Sequence, residues 1–436
     1  MKEKIVSNIA YSLIEKGGLI VASFLTSILL IRYLPREEYG IIGIVGGYFT
    51  FAQFFNLALE NIILRDHKDY GEKLPTVIYS FSVFNIAKCL LLSVFALVLC
   101  FLLPGFYNNS QFIFGIISAT MVLMTDALIS PLIVLASARF EQKLVTKLNL
   151  VRLSLGLSLL LGLIFFPSLK YVLVKDVLVS FVTLTIWFHL SKRYLGKSPL
   201  GLSWKNHFDI KLIKETFWGY SLWVHLVGVV TNFMYKADAF FLSFFVSLVA
   251  VGDYTIALTS ANVANILPSI LGYQNAVALS HFKEKYDRER VTHSFLRFNF
   301  YLALVSLLAF IIFGKVYLWV MTGSWGHDHI YFYLCFIVSG LLLAKTIVSP
   351  LVAFINICGD VRSLFWRVNV PIFFISSFSY FFASYFWGAK GVAVSNLSNA
   401  IFWCVLVLIE LRRYQFSFRG LLSWKEDFAK LYRMIK

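Results

Sequence analysis

A chain of 436 residues that is 59% hydrophobic and only 14% charged is not a soluble protein, since soluble domains carry about 25% charge; most of its surface faces lipid or other apolar helices. Its apolar runs are continuous and do not alternate at every second residue, which predicts an all-α polytopic membrane protein and excludes an outer-membrane barrel. The net charge of +16 would point to nucleic acid in a soluble chain, but here the basic residues sit in the connections between apolar runs, and no nucleic acid is expected.

Runs of about 20 apolar residues mark about twelve transmembrane helices. The first, 8–31, is too long and too polar for a cleavable signal and reads as a retained span. It carries Asn8, Ser12, Glu15, Lys16, Ser23, Thr26 and Ser27. The second, 39–62, ends on Asn56, Glu60 and Asn61. The spans at 76–103 and 111–138 hold Lys88 and Asp126 too deep for easy snorkelling, and an interhelical pair of Asp126 with Lys88 or Lys345 is expected as the structural alternative to a cavity role. Next come 148–166, whose Arg152 is expected to snorkel to the near interface, and 170–190, the least marked of the series.

The stretch 191–214 is the longest connection and reads as a linker between two six-helix bundles, 1–200 and 201–411, followed by a basic tail at 412–436. The second bundle holds spans at 215–243, 250–279, 298–321, 330–355, 368–387 and 391–411. A parallel repeat supports the division: Ser130-Pro131 and Ser349-Pro350 open similar segments half a chain apart, and "PREEYGIIGI" at 35–44 matches "LVAVGDYTIAL" at 248–258. Such repeats are a known transporter plan, with the substrate route between the halves.

Orientation follows from Lys and Arg. Of 39 such residues, 28 fall on the side that holds both termini and only 6 on the other. Both termini are therefore expected in the cytoplasm. Lys16, Lys88, Arg152, Lys236 and Lys345 lie inside spans.

In the seventh span Ser221, His225, Gly228, Asn232, Lys236, Ala239 and Ser243 recur at intervals of three and four and form one polar face. Asp238 lies about 200° away from Lys236 around the helix and cannot pair with it as a neighbour. The eighth span has a similar face that includes Thr255, Thr259, Asn262, Asn265 and Asn275, with Pro268 expected to loosen the helix. Turning the first, second, seventh and eighth spans towards one hydrated central cavity would place Lys16, Lys88, Asn232, Lys236, Asn262, Asn275 and Lys345 as substrate contacts. Glu15, Glu60, Asp126 and Asp238 are then candidate coupling or structural charges. Cys89, Cys100, Cys335, Cys358 and Cys404 include no CxxC pair and read as small core residues, so no metal site is expected. GxxxxGK[ST], GxSxG and HExxH are all absent, and the outer loops are too short for catalytic domains.

"LIRYLPREEYGIIGIV", "DAFFLSFFVSLVAVGDYTIALTSANV" and "WGAKGVAVSN" resemble the bacterial Wzx-type polysaccharide flippases of the multidrug/oligosaccharidyl-lipid/polysaccharide exporter superfamily. The resemblance covers nearly the whole chain and carries over Asp238 and Gly252–Tyr254 as motif matches. It implies two six-helix bundles in the bacterial inner membrane, and a lipid-linked oligosaccharide on undecaprenyl pyrophosphate as cargo for O-antigen or capsule. Membrane lipids, a polysaccharide polymerase and a chain-length regulator are its candidate partners. No cofactor is implied, and coupling to protons or sodium stays open. The alternatives are a cation-coupled multidrug antiporter of the same superfamily and, further off, a membrane glycosyltransferase or polymerase. The deep lysines favour an anionic cargo.

Overall fold

The computed structural model describes residues 2–52, 74–138, 142–195, 220–266 and 284–417, together with 268, 271, 272, 275 and 279. Asn56, Glu60, Asn61, Glu141, Ser269, the 196–219 part of the linker and residues 418–436 of the tail lie outside the described residues, as do the side chains of Asn8, Ser12, Lys16 and Ser221. All the described secondary structure is helical. The chain divides into two units, Met1–Phe240 with Ser247–Gly252, and Phe241–Val246 with Asp253–Lys436.

The first unit is built on α1 (Lys2–Tyr33), α2 (Arg36–Phe51), α3 (Leu74–Phe106), α4 (Phe112–Ala138), α5 (Gln142–Leu160), α6 (Leu169–Leu195) and α7 (Tyr220–Leu242). Helix α1 packs on α5, α3 on α4, and α4 on α6. The sixth span, faint in the sequence, is a full 27-residue helix. Its start is held by Glu38, whose carboxylate accepts the Leu169 N–H, an acidic group at the positive end of a helix.

Two local devices let apolar helices tolerate residues that would break them. Pro131 lies inside α4 and has no N–H to give to the carbonyl four residues earlier. That carbonyl belongs to Ala127, and the buried Asn85 of α3 donates its Nδ2 to it at 2.8 Å. In lipid no water could do this, so the Asn85 amide both repairs α4 and pins α3 to it. Gly40 of α2 and Gly252 form the second device. A methyl on Gly252 would lie 3.0 Å from the Arg36 carbonyl carbon and closer still to its oxygen, and one on Gly40 would meet the Gly252 nitrogen at 3.0 Å. The two backbones touch reciprocally, the close approach that small residues permit between membrane helices.

The second unit holds most of α8 (Leu248–Ala261) and then α9 (Lys285–Thr322), α10 (Asp328–Cys358) and α11 (Val361–Arg413). Helix α8 passes into a 3₁₀ turn at Asn262–Asn265, where the proline at 268 removes a helical hydrogen bond, as expected. Helix α9 begins at Lys285, so much of the 280–297 stretch read as a connection is instead a helical extension. At 38 residues it spans about 57 Å, well beyond a hydrocarbon core of about 30 Å. Helix α10 contains a π turn at Ala344–Val348 immediately before Ser349-Pro350. The same Ser-Pro dipeptide is thus absorbed by an asparagine from a neighbouring helix in the first unit and by a widened turn in the second. Helix α11 runs for 53 residues but is broken at Gly388, where φ is +55°. It therefore supplies two spans, at 361–387 and 389–413, separated by this break within "FWGAKG".

Candidate functional site: a charged cavity in the first unit

A cavity of about 560 Å³ lies among α1, α4, α5 and α6. Its polar lining comes from Thr26, Asp126, Asn149, Arg152, Lys175, Asp176 and Ser180, set in an apolar wall that includes Leu19, Ile129 and Leu157. By helix rise, Asp126 lies about 21 Å from the Phe112 end of α4 and Arg152 about 15 Å from the Gln142 end of α5, so both are near mid-membrane. A charge at that depth needs an opposite charge or water, and here each has an opposite charge. Arg152 Nη1 meets Asp126 Oδ1 at 2.6 Å, with the side chains 23% and 50% exposed to the cavity. Arg152 is thus not a snorkelling residue, and the pair expected of Asp126 forms with Arg152 instead of Lys88 or Lys345. Sequence spacing could not choose this partner, because it depends on how α4 and α5 are rotated against each other.

A second pair lies closer to the Leu169 end. Lys175 Nζ stands 2.5 Å from Asp176 Oδ1, and the Ser118 hydroxyl of α4 donates to Asp176 Oδ2. Glu15 is not on the wall but accepts Nδ2 of the wall residue Asn149 at 2.5 Å and the Thr146 hydroxyl at 3.4 Å, holding α1 to α5. The cavity wall thus carries two cations and two carboxylates, each neutralised locally. Sequence reading counts Lys175 as one of the six basic residues on the outer side and passes over Asp176, Ser118, Asn149 and Ser180. The available signal was their spacing, Asn149 with Arg152 and Asp176 with Ser180, each pair on one helical face.

The other expected residues are placed as follows. On α7, Asn232 and Lys236 are exposed whereas Asp238 is completely buried, with Oδ1 accepting the Ala239 N–H at 2.8 Å. The polar face of α7 is not uniform, since His225, Ala239 and Ser243 are buried. Lys88 is half-buried on α3, outside the cavity wall. In the second unit Asn262 is exposed, Lys345 is half-buried on the π turn, and Asn275 is buried with Nδ2 donating to Pro350 O at 3.4 Å.

The Gly-Asp-Tyr motif resolves into three separate contacts. Gly252 makes the close backbone approach to α2 described above. Asp253 Oδ2 lies 2.9 Å from His329 Nε2. Tyr254 is buried, and its hydroxyl accepts Asn396 Nδ2 at 3.1 Å.

An all-helical chain with ion pairs at mid-membrane depth has the makings of a multi-pass transporter, and solved structures of that class share its fold. The lipid II flippase MurJ, in an inward closed conformation, aligns with a TM-score of 0.62 at 12% identity, covering 95% of this chain and 89% of its own. An inward-facing multidrug resistance transporter of the MATE family gives a TM-score of 0.58 at 13% identity, with 91% and 95% covered. A transporter from Pyrococcus furiosus, described as having a binding pocket of reverse polarity, gives 0.54 at 11% identity, with 95% and 97% covered. At 11–13% identity these likenesses show a shared fold, that of multi-pass membrane transporters. Residues 29–325 match the family described as polysaccharide biosynthesis protein, and the chain belongs to that family, in agreement with its resemblance to Wzx-type flippases. No curated protein matches it in sequence.

Proposed function

We propose that the protein moves an oligosaccharide linked to undecaprenyl pyrophosphate from the cytoplasmic to the outer leaflet of the bacterial inner membrane by alternating access, with both termini in the cytoplasm. Its membership of the polysaccharide biosynthesis family over residues 29–325 carries this reading. The diphosphate is the part that cannot cross hydrocarbon unaided, and cations in a cavity of low dielectric can balance it. Lys236 and Asn232 present an exposed polar face for that purpose. Arg152 and Lys175 are further cations on a cavity wall, each held by a carboxylate. A proton or sodium ion that takes over Asp126 or Asp176 would free its cation for phosphate, which links cargo binding to an ion.

Asp126 and Asp176 on the wall of one cavity also favour a second reading, a cation-coupled antiporter for small solutes. One experiment separates the two. Deleting the gene should abolish surface polysaccharide and accumulate lipid-linked repeat units, and re-expression should reverse both. Unchanged polysaccharide together with increased sensitivity to cationic drugs would replace the flippase reading by the antiporter one.

A further inference from the structure

At the end of the second unit where α9 begins and α10 and α11 finish lies another cavity, of about 310 Å³. Its wall carries Lys285, Arg288 and Arg413, with Phe354, Cys358, Tyr414 and Gln415 beside them, and none of its described lining residues is acidic. Two of these cations stand at the limit of pairing with a carboxylate. Glu289 stands 3.9 Å from Lys285, and Glu410 stands 4.0 Å from Arg413. Both carboxylates are buried in the protein, and Glu410 also accepts the Ser363 hydroxyl at 2.7 Å. Arg288 Nη1 points along the wall to Cys358 Sγ at 3.5 Å. Tyr414 is fixed by accepting the Asp360 N–H at 3.0 Å. Lys285 is also the first residue of a 38-residue helix, whose leading N–H groups have no intrahelical acceptor and whose dipole favours an anion.

The depth of the cavity narrows the ligand. Ile409 is an exposed apolar residue on the last span, and Arg413 follows it by about one helical turn. Trp366 is exposed near the start of α11, which the Ser363–Glu410 hydrogen bond brings beside its end, as an interfacial aromatic would be. Arg413 therefore lies at headgroup level, and Lys285 and Arg288 extend the cavity into water. From this geometry we infer that the cavity is a binding site for an anionic phosphate group, separate from the charged cavity of the first unit. The guanidinium groups of Arg288 and Arg413 hold the phosphate oxygens and Lys285 adds a point charge. The phosphate arrives on the headgroup of an acidic membrane lipid or as a free ion.

Cys358 on the wall supplies the readout, since an occupant shields it from alkylation. The intact protein is placed in phosphatidylcholine nanodiscs, in nanodiscs that also contain phosphatidylglycerol, and in phosphatidylcholine nanodiscs with added inorganic phosphate or pyrophosphate. Alkylation of Cys358 by N-ethylmaleimide is followed by peptide mass spectrometry, so the other cysteines need no replacement. Slowing by phosphatidylglycerol alone identifies a lipid site, and slowing by the free ions identifies a soluble one. In the Arg288→Gln and Arg413→Gln variants the concentration needed for protection should rise about tenfold or more, the loss of one charge-assisted hydrogen bond. Lys285→Gln, at an exposed position, gives a smaller rise in the same direction and serves if the arginine variants do not fold. An unchanged rate for wild-type Cys358 in every arm overturns the site without any variant, and so does protection that persists undiminished when both arginines are replaced in a folded protein.

Discussion

Removing Asp126 alone should harm the protein more than removing both partners of the Arg152–Asp126 pair. The two groups meet at 2.6 Å near mid-membrane. Loss of one partner of a fully buried pair costs about 3–5 kcal/mol, whereas a fully hydrated pair is worth about 0–1. With Arg152 23% and Asp126 50% exposed, this pair falls between those limits, and a single removal should cost about 1–3 kcal/mol. The order of the single variants follows from the same exposures. Asp126→Ala leaves the less hydrated group, Arg152, without its partner and should be the worse. The double variant removes both charges together, so its loss should be smaller than the sum by about 1 kcal/mol or more. Thermal unfolding of the four purified proteins in one detergent measures the pattern: Asp126→Ala lowest, Arg152→Ala next, the double variant above Asp126→Ala. Additive shifts, or a double variant less stable than either single, would show that the two side chains do not depend on each other and that the cavity charges are each satisfied by water.

Lys236 and Asp238 should separate by phenotype: Lys236→Ala should leave a folded protein that exports poorly, with partial recovery in Lys236→Arg, whereas Asp238→Ala should lower the amount of folded protein in the membrane. An abundant, heat-stable but inactive Asp238→Ala would make Asp238 a transport residue. Gly252→Ala drives a methyl into the Arg36 carbonyl and should cost about 1–3 kcal/mol as overpacking; a wild-type melting temperature would disprove the backbone contact. Asn85→Leu should cost about 1–3 kcal/mol by stranding the Ala127 carbonyl, and combining it with Pro131→Ala should restore most of the loss, because the helix then supplies its own N–H. For orientation, Ser110→Cys should label from outside intact cells and Lys205→Cys only after permeabilisation; labelling of both without permeabilisation would reverse the topology.

The helices were legible because apolar length decides them, and even the faint sixth span carried enough. The opposite placement of Lys236 and Asp238 was legible too, since 100° per residue is a property of one helix alone. What the sequence did not yield were relations between helices. Arg152 could have snorkelled as far as its own helix was concerned, and only the rotation of α5 against α4 gives it Asp126. Lys175 lies near enough to a span end to count as a topology charge, and its place on a cavity wall depends on the packing of α6. The repair of Pro131 by Asn85 is of the same kind, a match between residues 46 positions apart in the chain.

Gly252, Asp253 and Tyr254 each have a different neighbour, although they are consecutive in the chain. A substitution at one of them loses one contact and spares the other two. Inserting or deleting a single residue just before them would turn all three by about 100° and shift them along the helix, and every contact would be lost at once. This stretch of the gene can therefore accept point changes one at a time, but it cannot change length.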